Sequence, residues 1–160
     1  MYKTRLHQTI ITALEVVLDT SRKAAIQAHE TATNGETVAE NKYDTFGLEA
    51  SYLAAGQSKR VLECEENVKI FKLLEVQDFK PESLIRLGAL VELEDAQSNI
   101  KTLFLSPVSG GLKVSFDQLE ITLVTPLAPL GKALMNQSLG DDITVLIGHE
   151  KQSYIILKII

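Results

Sequence analysis

Apolar positions in the first half of the chain recur with a helical period. Ile10, Leu14, Val17, Ser21, Ala24 and Ala28 follow one another at alternating spacings of four and three, the narrow stripe of a coiled-coil seam. Asn34-Gly35 interrupts the pattern, as expected at a helix C-terminus. A second stripe follows through Ala50, Ala54, Gln57, Val61, Cys64, Val68 and Phe71. Facing residues of an antiparallel hairpin have position numbers that add to a constant. Ala28 with Ala50, Ala24 with Ala54, Ser21 with Gln57, Val17 with Val61, Leu14 with Cys64 and Ile10 with Val68 all add to 78. The sequence therefore predicts an N-terminal antiparallel coiled-coil hairpin over 1–76, bent near residue 39. Alanines and small polar residues lie towards the bend and large aliphatics at the open end. Small residues let helix backbones approach closely, and large ones bury more area, at about 25 cal/mol per Å². At about 1.5 Å rise per residue, each arm of thirty-odd residues predicts a rod of roughly 45–50 Å, a probe rather than a core.

The period changes in the second half. The pattern breaks around Val76–Ser83, with Pro81 in a polar stretch, which places the linker. Ile85, Leu87, Ala89, Val91 and Leu93 then alternate at period two. Further strand candidates are Ile100–Leu105, Leu112–Phe116, Leu119–Val124, Ile143–Ile147 and Tyr154–Ile160. Ser109-Gly110-Gly111 and His149-Glu150-Lys151-Gln152 are turn candidates between neighbouring strands, and Pro126–Met135 is a short helix candidate followed by a turn at Gly140-Asp141. Five or six strands and one helix over 82–160 make an α+β domain, so the predicted class is a helical hairpin followed by a β-rich domain.

Composition narrows the function. The net charge is −5 and the pI about 5.2, which disfavours free nucleic acid as the main partner, because a basic surface supplies most of that affinity. It leaves open a protein that reaches nucleic acid while held by another protein. His7, His29 and His149 are scattered without metal-ligand spacing. Cys64 is the one cysteine, so there is no internal disulfide framework. No G-x-S-x-G, P-loop or dinucleotide fingerprint occurs. No apolar run reaches the roughly 18 residues that span a bilayer, and the first thirty residues lack signal-peptide regions. These features predict a cytoplasmic protein with no membrane partner.

Three segments carry a family resemblance. Thr125-Pro-Leu-Ala-Pro-Leu-Gly-Lys-Ala-Leu-Met-Asn-Gln-Ser-Leu-Gly-Asp141 resembles the Ser-Pro…Ala-Leu…Gly-Asp region of the GreA/GreB transcription elongation factors. Gly88-Ala-Leu-Val-Glu-Leu-Glu-Asp95 is similar to that family's strand ending in Leu-Glu-Asp. Gly35-Glu36-Thr-Val-Ala-Glu40-Asn41-Lys-Tyr43 resembles its acidic tip, typically Gly-Asp-x-x-Glu-Asn followed by a Tyr. The likeness covers nearly the whole chain, and its specificity lies in the order of the segments along a hairpin-plus-β chain. It implies an FKBP-like C-terminal domain that docks on bacterial RNA polymerase. It also implies a coiled coil that enters the secondary channel, acting as a monomer. Carboxylates at the tip, near residues 35–44, would help hold a second Mg²⁺ and orient water, so that the polymerase hydrolyses backtracked RNA. That is two-metal chemistry, in which the hard ion takes carboxylate oxygens and stabilises attacking and leaving oxygens. The factor would then supply half an active site and be no enzyme by itself, and it would hold no Mg²⁺ when isolated.

Carried over residue by residue, Glu36 and Glu40 are the catalytic and metal-binding candidates, with Asp44 as a further acidic ligand. Here two Glu residues lie four apart where the family has an Asp and a Glu three apart. Thr37-Val-Ala-Glu40 also reads as a capping box opening the second helix, Glu36 as a solvated loop residue and Asp44 as a surface residue. Arg22, Lys23, Lys59 and Arg60 are the candidates for contact with the transcript 3′ end, with Tyr43 at the tip. Their alternative roles are a solvated face paired with acids such as Asp19 and Glu63 and, for Tyr43, packing. Ser21 and Gln57 read as a register-setting polar layer, and Cys64 as a small buried hydrophobe. Three functions remain open: a cleavage-stimulating factor, a polymerase-binding regulator that occupies the channel without cleavage, and an FKBP-like chaperone or isomerase module. Phe79, Phe104, Phe116 and Tyr154 are too few aromatics to favour the last.

Overall fold

Both helical stripes fold as helices in a computed structural model, which describes residues 1–34 and 45–160, with Phe46 described by its backbone alone. Helix α1 spans Tyr2–Thr33 and α2 spans Phe46–Lys72. The predicted seam is the buried one. Ile10, Leu14, Ser21 and Ala28 on α1, and Ala50, Ala54, Cys64, Val68 and Phe71 on α2, are all buried. The axial match differs from the predicted layers. Ser21 Oγ lies 3.5 Å from Cys64 Sγ, so the Ser21 side chain contacts Cys64, one heptad along from its predicted layer partner Gln57. Alternating spacings of four and three repeat every seven residues, so the stripes satisfy both registers equally. Helical side chains also lean towards their own N-terminus, which draws together residues on opposed arms whose Cα atoms are axially offset.

The second half contains β1 (Leu90–Asp95), β2 (Ile100–Leu105), β3 (Lys113–Phe116), β4 (Leu119–Val124), α3 (Pro129–Leu134), β5 (Asp142–Ile147) and β6 (Glu150–Ile159). The six strands form one sheet in the order β3-β4-β2-β1-β6-β5. All neighbours are antiparallel except β2 and β4. The Ser109–Gly111 turn therefore leads from β2 to a strand that is not its neighbour. The chain passes outward to edge strand β3 and returns through Asp117-Gln118, both with positive φ of 47° and 65°, the conformation of a tight type I′ hairpin turn.

Two expected boundaries shift by more than three residues. The alternation from Ile85 does not begin a strand: Ala89 N–H bonds to Arg86 O at 3.1 Å, Gly88 takes a φ of +89°, and β1 starts at Leu90. Ile85 is nevertheless fully buried, its N–H bonded to Gln137 O and its carbonyl to Asn136 N–H, both at 2.9 Å. The pattern reported burial there, not strand. The turn expected at His149–Gln152 is instead Gly148-His149, because Gly148 supplies the positive φ. Glu150, Lys151 and Gln152 pair with Ile147, Leu146 and Val145.

One sheet face carries a core of Val91, Leu93, Leu103, Leu105, Val145, Tyr154 and Ile156, with Leu134 of α3 and Ile85 packed on it. Helix α3 approaches closely because residue 131 is glycine: a Cβ there would fall on the Thr125 carbonyl. On the opposite face, Tyr2 meets Phe116 edge-on at 5.1 Å between centroids and Phe71 lies 5.9 Å from Phe104. The chain accordingly divides into two compact units, one of residues 1–11 with 70–160 and the other of residues 12–69. Both divisions fall inside a helix, because the start of α1 and the end of α2 bury their apolar residues on the sheet.

Candidate functional site

The 12–69 unit carries the candidates singled out in the sequence. Glu36, Glu40, Tyr43 and Asp44 lie outside the described residues, as does the Thr37–Glu40 capping box. The segment that holds them joins the C-terminus of α1 to the N-terminus of α2. Glu49 lies in the first turn of α2, where the helix dipole favours a negative charge, and Thr45 Oγ1 donates to its Oε1 at 3.4 Å.

The basic candidates are placed on the exposed surface of the helices. Arg22 reaches across the seam to Glu65, with Nη2 2.8 Å from Oε1. Lys23 pairs with Asp19 one turn earlier at 2.6 Å. That hydrogen bond, followed by the carboxylate's charge, holds the Lys23 ammonium above its ordinary pKa. Arg60 lies 3.6 Å from Glu63, and Lys59 is exposed. Exposed pairs of this kind are screened by solvent and hold their side chains only loosely. Cys64 is 2% exposed and packs as a small apolar residue. Ser21 donates to Val17 O at 2.9 Å, which satisfies its hydroxyl inside the seam. Ile26, Leu48, Tyr52, Leu53 and Leu62 are exposed apolar residues of this unit that the heptad analysis did not single out, since they fall outside its stripe.

In the other unit, α1 carries two titratable side chains drawn inward, Lys3 buried and His7 half-buried. Lys3 is 4% exposed. Its ammonium donates to the Gly88 carbonyl and, at 2.9 Å, to the Ile160 carbonyl, and it sits 5.2 Å and 5.4 Å from the ring centres of Phe79 and Phe104. Burial lowers its pKa from 10.5 to about 8, against a smaller opposing pull from Asp78. His7 stacks on Phe71 at 4.8 Å, and its Nε2 is buried without a hydrogen-bond partner. Burial lowers its pKa, partly offset by bonds to the Phe71 and Leu74 carbonyls. Sequence offered no sign of either, because a lysine in a first helical turn reads as solvated.

Beside α3, a groove of about 540 Å³ is lined by Leu103, Thr122, Val124 and Leu130, with Lys113 and Glu120 at its rim. No aromatic side chain lines it. Lys113 and Glu120 pair across it at 2.7 Å. An aromatic-lined prolyl pocket is therefore not formed there. Among the described residues no group of acids, histidines and cysteine is arranged to hold a metal ion, and no helix is long and apolar enough to cross a membrane.

No protein-family model matches the chain, and no curated protein matches it. Solved structures do. GreA factor homolog 1 of Thermus thermophilus is similar at 22% identity over 94% of both chains, with a TM-score of 0.40. Gfh1 of Thermus aquaticus is similar at 18% identity over 91% of this chain and 90% of that one, with a TM-score of 0.41. The prokaryotic elongation factor GreA/GreB of Nitrosomonas europaea, at 18% identity, covers 70% of this chain and 91% of its own, with a TM-score of 0.35. Identity and TM-scores this low leave the question of function to the chain's own residues.

Proposed function

We propose that this chain is a bacterial RNA-polymerase-binding factor of the GreA/GreB type. In this reading the β-rich unit docks on the polymerase and the coiled coil enters the secondary channel. The observation that supports it most is the order of three segments along a two-part chain. A Gly-Glu-x-x-x-Glu-Asn stretch joins two seam-paired helices, a Leu-Glu-Asp strand opens the sheet, and a Pro-rich loop with Gly-Asp surrounds α3. Within this reading Glu36 and Glu40 supply oxygens to a second Mg²⁺ of the polymerase, with Asp44 adjacent, and the protein would hold no such ion alone. Arg22, Lys23, Lys59 and Arg60, with Tyr43 at the tip, hold the transcript 3′ end. The division of labour is that of two-metal hydrolysis, with the polymerase supplying the remaining ligands.

A second reading has its own observation. The two glutamates lie four apart and are one methylene longer than an aspartate at the first position. That displaces ligand oxygens by ångströms in a chemistry that needs near-ideal octahedral geometry. A factor so altered would occupy the channel and regulate without cleavage. One experiment separates the two: a backtracked elongation complex with labelled RNA and Mg²⁺, given the wild type or a Glu36→Ala/Glu40→Ala variant. Release of short 3′ fragments by the wild type alone supports cleavage stimulation. Polymerase binding with intact RNA supports the regulator. Failure to bind the polymerase refutes both.

A further inference from the structure

Strand register lines up four side chains in one row on the sheet face opposite α3. Ile100 of β2 pairs with Glu94 of β1, Glu94 with Ile155 of β6, and Ile155 with Asp142 of β5. Directly paired residues point to the same face, so the row alternates apolar, acidic, apolar and acidic across four strands. Over β3 and β4 this face is covered by the start of α1, as the Tyr2–Phe116 contact records. Towards β6 and β5 the described residues leave it open. Ile100 is 53% exposed, Ile155 44% and Leu157, beside the row, 42%. Leu157 stands out because the β1–β6 pairing shifts register between Glu92 and Leu93. Lys158, on β6, lies against Glu92 at 3.4 Å. Soluble proteins rarely leave several large apolar residues together on one face without a partner.

We propose that this row is a docking surface for an amphipathic helix bearing lysine or arginine, lying across the strands of β1, β6 and β5. The charge pattern selects the occupant. Glu94 and Asp142 are two strand spacings apart, about 9.6 Å. Residues seven apart on one helix face are separated by about 10.5 Å, so basic side chains at i and i+7 sit over both carboxylates. Apolar residues at i+3 and i+4 then fall on Ile155 and Leu157. An anionic surface is disfavoured by the same two carboxylates. The inference stands apart from the tip chemistry, because it uses no residue of the tip.

The test uses the full chain and a fluorescein-labelled 18-residue helical peptide with a leucine stripe and lysines seven apart. A counterpart carries glutamate at the lysine positions. Anisotropy titrations at low and high salt should show the basic peptide binding at least tenfold more tightly than the acidic one, and more weakly as salt rises. Charge reversal, Glu94→Lys with Asp142→Lys, should invert that preference. The neutral pair Glu94→Gln with Asp142→Asn, which leaves strand packing unchanged, should weaken basic-peptide binding at least fivefold. Equal binding of both peptides, or none at millimolar peptide, would overturn the proposal. So would neutral-pair affinities within twofold of wild type. Sedimentation showing a dimer of this chain that Ile155→Ser dissociates would overturn it too, by assigning the face to a second copy.

Discussion

Lys3 lends itself to a quantitative test of how burial acts on a charge. Its folded-state pKa of about 8 lies below the value of about 10.4 for an exposed lysine. Each pKa unit corresponds to about 1.36 kcal/mol, so the ammonium is about 3 kcal/mol less favourable in the folded chain than in the unfolded one. The sign follows from proton counting. Between pH 8 and 10.5 the unfolded chain keeps the proton and the folded chain has lost it, so stability rises with pH across that window. Below pH 8 the full penalty is present, and above 10.5 it is gone. The neutral amine retains two N–H groups, matching the Gly88 and Ile160 carbonyls, so deprotonation leaves neither unsatisfied. The assay is urea unfolding of the wild type and Lys3→Met at several pH values from 7 to 10.5, in which other titrating groups cancel in the difference. The wild type should gain about 3 kcal/mol relative to Lys3→Met over the window, and the Nζ resonance should titrate near pH 8 by NMR. A difference that stays flat, or falls as pH rises, would refute the argument and show that the two carbonyls and rings stabilise the ammonium fully.

Three further substitutions test the packing. Gly56 lies inside α2, and a Cβ added there would meet open space, with no other atom within 4 Å. Gly56→Ala should therefore stabilise the 12–69 unit by about 0.5–1 kcal/mol, read as slower amide exchange over residues 50–62; unchanged exchange would contradict it. Phe71 is fully buried between His7 and Phe104, and Phe71→Ala should lower the urea-unfolding free energy by about 3–5 kcal/mol, a loss under about 1 kcal/mol showing that the pocket collapses. Gly131→Ala should destabilise by about 3 kcal/mol or more, since its Cβ meets the Thr125 backbone, which cannot swing aside as the end of a flexible side chain would, and also Val124 Cγ1. A midpoint within error of wild type would show that α3 can shift away freely.

The hairpin was legible because a seam needs only periodicity, and every residue placed in the two stripes from Ile10 to Phe71 is buried or half-buried. Its contacts were less so, because the same spacing recurs each heptad, and the contact of Ser21 with Cys64 is not one of the predicted layers. Strands β2 and β4 were legible to the residue, since alternation with flanking turn residues is a local property. The order of strands was not: the insertion of β4 between β2 and β3 depends on which faces remain to be covered once the chain collapses. Ile85 shows the limit most plainly, for its apolar period marked a buried position without specifying the turn at Gly88 that makes it one. Of the candidate site, the sequence determined which acids and bases lie on the helices and the segment joining them. Tertiary structure alone decided that Lys3 and the His7 Nε2 atom would be buried and that Arg22 would pair across the seam. It alone aligned Glu94 and Asp142 in one row on an open apolar face. Charges exert their chemistry through distance and solvent access, and both are set by residues far away in the chain.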